Sequence, residues 1–130
     1  MVHLPYGQGF TEANVPEGNK IHVLKPHVSK ARVSADKVEK TIEDMVRQNR
    51  SAIRESEGDI CLIVSDKTRA AFNNLVVPEL LKQIEGEDVS TERLKVVVAN
   101  GLHKPMTGQE LIENLGEEVV GKFNVVNHVP

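Results

Sequence analysis

Five side chains of types that move protons or grip small anions fall in two short loops, each directly after an apolar run. Asp66, Thr68 and Arg69 stand in Ser65-Asp66-Lys67-Thr68-Arg69, directly after the apolar run Asp59 to Val64. His103 and Lys104 stand in Asn100-Gly101-Leu102-His103-Lys104-Pro105, directly after the run Leu94 to Ala99. An arginine held at a strand end can give a carboxylate or phosphate two parallel hydrogen bonds, and an imidazole is the usual proton carrier at neutral pH. Lys104 adds a second positive charge for an anion, while Asp66 can fix the arginine fork or cap the turn. The bland alternative, a turn cap at Asp66 and a solvated Arg69, stays open at this point. His128, after the third apolar run and two residues from the last, ranks below His103 because chain ends fray.

These residues meet only if the elements before them are arranged to bring them together. Asp59 to Val64 is apolar without alternation, the pattern of a central strand covered by helices on both faces. A helix starting near Asn74 to Val77, with Pro78 in its first turn, places Val77, Leu80, Leu81 and Ile84 on one side and stops at Gly86. Strand, helix and strand Leu94 to Ala99 have the length of a βαβ unit, so parallel strands with a right-handed crossover are the default. Both loops then open at one carboxyl-end edge, where open α/β sheets bind ligands.

Elsewhere, Ser34 caps an amphipathic helix that carries Val38, Ile42, Met45, Val46 and Ile53. Thr107 and Glu110 have capping-box spacing ahead of Leu111, Ile112 and Leu115, and Phe123 to Asn127 reads as a third strand. Residues 1–30 are punctuated by glycine and proline and form an extended edge segment whose best strand is Lys20 to Leu24; residues 31–130 form the α/β core.

Composition narrows the function. The chain has 130 residues with 16 Lys and Arg against 19 Asp and Glu, and only three Phe, one Tyr and no Trp, so it lacks the basic, aromatic face of a nucleic-acid binder. Cys61 is the single cysteine, which excludes an internal disulfide and a thiolate metal cluster. His3, His22 and His27 have no metal-ligand spacing, so no metal site is assigned. Without an apolar run of membrane length or a secretory signal, the chain reads as a cytoplasmic protein without a membrane partner. No glycine-rich phosphate fingerprint is present.

Taken in order, Tyr6-Gly7-Gln8-Gly9, Asp66-Lys67-Thr68-Arg69, Asn100-Gly101-Leu102-His103-Lys104-Pro105, Leu115-Gly116-Glu117-Glu118-Val119-Val120 and Asn127-His128 resemble the N-terminal domain of the nickel-dependent lactate racemase family. The resemblance implies a three-layer, Rossmann-like α/β domain with a mostly parallel sheet, whose second domain is absent from this chain. It implies a racemase or epimerase of 2-hydroxy acids that uses a nickel pincer nucleotide to take up and return a hydride. The position of His103 corresponds to one of two acid–base histidines, and Asp66, Thr68 and Arg69 to the pocket for cofactor and anionic substrate. The family's cofactor-tethering lysine, nickel-ligating histidine and second acid–base histidine match no position here, which implies an inactive chain without bound cofactor unless a second domain or partner subunit completes it. The sequence departs from the family pattern at Ala70, Lys104 and Val129, where proline, arginine and aspartate are usual. Other classes remain: a non-catalytic binder of small carboxylates or phosphates, or a subunit completed by a partner.

Overall fold

In the computed structural model, which describes residues 1–24, 34–69 and 71–129, the three apolar runs become parallel strands of one sheet. β3 (Ile60–Ser65), β4 (Leu94–Ala99) and β5 (Asn124–Asn127) lie in the order β3-β4-β5. Ile63 pairs with Val97, and Val97 with Val126. The central strand is therefore β4, whereas the sequence placed β3 there. An unbroken apolar run does not report position in a sheet, and β4 is central because β3 and β5 both pair with it.

Between the strands run α3 (Asn73–Glu85), then α4 (Gly108–Leu115) and α5 (Glu117–Lys122). Both crossovers step the same way across the sheet, so right-handed connections put these helices on one face. That face carries Val64, Leu94, Val96 and Val98, which pack with Val77, Leu81, Ile84, Leu115, Val119 and Phe123 into one core. The opposite face behaves differently: Cys61 is exposed and Ile63 is 70% exposed, so burial along β3 alternates instead of being complete on both sides. Among the described residues no helix is long and apolar enough to cross a membrane.

α1 (Ala35–Gln48) begins at the Ser34 cap and packs Ile42 and Val46 into the same core. The single helix expected through Ile53 is broken at Asn49, whose amide donates to the Met45 carbonyl at 2.7 Å, and α2 (Arg50–Glu55) restarts beyond it. Such side-chain competition for a helix carbonyl is typical of Asn. Pro78 falls in the second turn of α3, not the first, and is tolerated there while Val77 and Leu81 are buried on either side. Arg50 and Arg54 each donate to a different oxygen of the buried Glu87 at 2.8 Å, which ties α2 to the loop after α3.

Met1–Ala31 form a separate unit. In it, β1 (Val2–Tyr6) and β2 (Gly9–Ala13) pair antiparallel around Gly7-Gln8, with Gly7 at φ +59 as a two-residue hairpin turn requires. The strand expected at Lys20 to Leu24 is not formed. Among the described residues its apolar side chains have no neighbouring strand to pair with, whereas Val2 to Tyr6 finds one across a two-residue turn.

Candidate functional site

At the end of β3 the chain turns back on itself at Asp66, which is 3% exposed. Its Oδ1 accepts the Thr68 hydroxyl at 2.6 Å and the Thr68 backbone N–H at 3.1 Å, and the Arg69 N–H closes the turn on the Asp66 carbonyl at 3.2 Å. The other oxygen, Oδ2, lies 2.5 Å from His103 Nδ1. The Thr68 hydroxyl, with help from His103, holds the Asp66 carboxyl at about 2, well below its ordinary value. An ionised carboxylate only accepts hydrogen bonds, so Nδ1 carries the proton and Nε2 is the nitrogen left to act as a base.

His103 reaches Asp66 through a tight turn after β4. The His103 N–H donates to the Asn100 carbonyl at 3.0 Å, with Gly101 at φ +57 in the left-handed region where glycine carries no steric penalty. Asn100 is buried and its amide donates to the Lys104 carbonyl at 3.5 Å. Although bonded to a buried carboxylate, the His103 side chain is 54% exposed and stays open to a ligand.

Arg69 and His103 line one open depression of about 490 Å³, together with Ile63, Ser65, Asp66 and Asn100. Lys104 lines a neighbouring one of about 440 Å³ with Lys67, Thr68 and Glu110, and both Asp66 and His103 border the two. Of the two roles expected for Asp66, fixing the arginine fork or capping the turn, its bonds to Thr68 match the second. Asp66 also bonds His103, while among the described residues the guanidinium of Arg69 has no partner. The backbone N–H of His128 donates to Val98 at 2.9 Å and prolongs the β4–β5 pairing, but its side chain lines neither depression. Among the described residues no three His, Cys, Asp or Glu side chains gather as metal ligands.

Sequence reading missed the residues that hold the two loops in place. The amides of Asn73 and Asn114 both donate to the Ser65 carbonyl, at 2.9 and 3.2 Å, and so fix the last residue before Asp66. Asn127 bonds Met106 twice, accepting its N–H at 2.9 Å and donating to its carbonyl at 3.0 Å, which seats the loop after His103 on β5. Lys67 pairs with Glu110, whose other oxygen accepts the Thr107 N–H in the capping box of α4. Asn114 and Asn127 lie 49 and 21 residues from the groups they hold, so no local spacing announces them.

Comparison with known proteins gives this edge a lineage. Residues 6–130 match the family described as the lactate racemase N-terminal domain. A lactate racemase of Lactiplantibacillus plantarum is 27% identical over 98% of this chain and 31% of its own length, and one of Thermoanaerobacterium thermosaccharolyticum is 26% identical over 98% and 30%. The structure of the latter's lactate racemase apoprotein superposes with a TM-score of 0.68 at 25% identity, covering 98% of this chain and 30% of that one. A Thermotoga maritima protein shares the fold at a TM-score of 0.54 and 21% identity, over 74% of this chain and 21% of its own. The chain thus spans about 30% of the length of the relatives it matches. By the match over residues 6–130, it belongs to the lactate racemase N-terminal domain family.

Proposed function

We propose that this chain supplies the anion-gripping and proton-moving half of the active site of a 2-hydroxy acid racemase or epimerase. The observation that carries the reading is the 2.5 Å contact between the buried carboxylate of Asp66 and His103 Nδ1, in a depression that Arg69 also lines. Asp66 fixes the tautomer of His103 and faces the positive charge that forms when Nε2 takes a proton. Arg69 binds the substrate carboxylate with two hydrogen bonds, which places the 2-hydroxyl within reach of Nε2. His103 then removes the hydroxyl proton and later returns it, and Thr68 keeps Asp66 ionised and oriented. From the adjoining depression the Lys104 ammonium screens the negative charge that develops.

In the complete enzyme the hydride exchange would come from a nickel pincer nucleotide held by residues outside this chain. The residues described here do not form a nickel site on their own. They contribute the proton transfer and the anion grip, and a second domain or partner subunit contributes the rest. The chain alone is therefore expected to show no racemisation.

The test is His103→Ala in the complete enzyme. Turnover should fall about 10²- to 10⁴-fold with KM changed only a few-fold, the signature of a group that acts in the transition state. Unchanged turnover would remove His103 from the mechanism. Tight calorimetric binding of hydroxy acids to this chain alone, with no turnover after the second domain is added, would favour the non-catalytic anion binder.

A further inference from the structure

The loop that carries His103 leaves the core at Asn100 and returns to it at Met106, and the five residues between, Gly101 to Pro105, are all exposed. Two hydrogen bonds flank His103 along the chain, and both end on Asn100. Its backbone carbonyl accepts the His103 N–H at 3.0 Å, and its side-chain amide donates to the carbonyl of Lys104, the next residue, at 3.5 Å. Upstream, the Asn100 N–H donates to the Val98 carbonyl at 3.0 Å, the same oxygen that accepts the His128 N–H at 2.9 Å, so the bracket is rooted in the β4–β5 pairing. Pro105 has no N–H to add to it.

The other end of the same amide is left over. Asn100 is 2% exposed, and among the described residues no donor reaches its Oδ1. A buried acceptor without a donor costs about 1–3 kcal/mol, a penalty that an apolar side chain of similar shape avoids. Stability therefore does not account for an asparagine at this position. The donor end does, because no aliphatic side chain can hold the Lys104 carbonyl. Local rules of burial are broken in this way chiefly at functional sites, and Asn100 lines the depression that Arg69 and His103 share.

We propose that Asn100 is the positioning residue of His103, holding the exposed loop so that Nδ1 stays on Asp66 and Nε2 faces the depression. This role rests on His103 being the base of the proposed reaction. Nδ1 lies 2.5 Å from Asp66 Oδ2, and a misplacement of about 1 Å at a reacting group can lower a rate about 10²-fold. Gly101, at φ +57, permits the turn but does not fix it, since glycine visits other regions as readily. The bracket on either side of His103 supplies the missing constraint. Being uncharged, it does so without a second carboxylate to compete with Asp66 for the imidazole.

The test is Asn100→Leu in the complete enzyme, with histidine labelled with nitrogen-15 and the His103 signals identified by their loss in His103→Ala. The wild type should show neutral His103 as a single tautomer with its proton on Nδ1. In Asn100→Leu the two tautomers should mix, while the urea midpoint holds or rises because the stranded oxygen is gone. Turnover should fall about 10- to 10²-fold with KM changed only a few-fold. A single Nδ1–H tautomer in the variant, whatever happens to its stability, would overturn the proposal and leave Asn100 a structural residue. Should the leucine not be accommodated, Asn100→Ala removes the same donor without adding volume and is read the same way. Mixed tautomers with unchanged turnover would keep Asn100 as the residue that places the imidazole and remove His103 as the base, so failure here and failure of the proposed function are distinguishable.

Discussion

The side chain that organises the site is Asp66, not the arginine that first draws the eye. Its oxygens are engaged by Thr68 and His103, and among the described residues the Arg69 guanidinium has no partner and can meet a ligand. The Thr68 hydroxyl is the larger cause of the depressed Asp66 titration, at about 2. Thr68→Val keeps the side-chain shape and removes that hydrogen bond. The Asp66 midpoint, followed by NMR of its side-chain carboxyl carbon, should rise from about 2 toward the ordinary 3.8. An unmoved midpoint would show that His103 alone sets it. Asp66→Asn leaves an amide that can donate where a carboxylate only accepts, so it no longer fixes the imidazole tautomer. In the complete enzyme this change should lower turnover by about 10²-fold or more with a much smaller effect on KM, and equal turnover would detach Asp66 from the chemistry.

Elements matter because each loop is held by elements later in the chain, the Asp66 turn by α4 and the loop after His103 by β5. Glu110 both closes the capping box of α4 and pairs with Lys67 of the Asp66 turn. Glu110→Ala should lower the urea midpoint through the lost capping-box bond, while Glu110→Gln, which can still accept the Thr107 N–H, should recover most of the loss. Equal losses for both variants would assign the stability to the ion pair instead. Gly101→Ala tests the other loop: an added Cβ meets nothing within 4 Å, so the cost is the left-handed backbone alone, about 1 kcal/mol. That capping box, the strand–helix–strand unit and the shared edge were legible in the sequence because each follows from local spacing. The edge position of β3 and the alternating burial along it were not, because an apolar run cannot report which neighbours pair with it or what covers its second face. Likewise the loop positions of Asp66, Arg69 and His103 could be read, but their pairing could not. Whether a carboxylate serves the arginine three residues away or the histidine 37 residues away is decided only by the fold.

Across the α/β unit five carboxyl groups share one direction. Asp66, Glu79, Glu85, Glu87 and Glu110 all titrate below their ordinary values. The leading causes are the Thr68 hydroxyl for Asp66, the Gln83 amide for Glu79, Arg50 for Glu87 and Lys67 for Glu110. At Glu85 burial pulls upward and is outweighed by Lys122 and Thr91. A carboxyl depressed in the folded state binds its proton first in the unfolded chain, so the stability it contributes is present above the unfolded value and is lost as pH falls through the folded one. With ordinary values of 3.8 for Asp and 4.5 for Glu, and Asp66 down at about 2, the loss should run from about pH 5 down to about pH 2. Calorimetry should therefore show a Tm that is level above pH 5 and declines steadily below it. Because Glu87 joins α2 to the loop after α3, Glu87→Gln should flatten part of that decline while lowering the plateau. A Tm independent of pH between 5 and 2 would mean that these pairs persist equally in the unfolded chain and contribute nothing to holding the helices on the sheet.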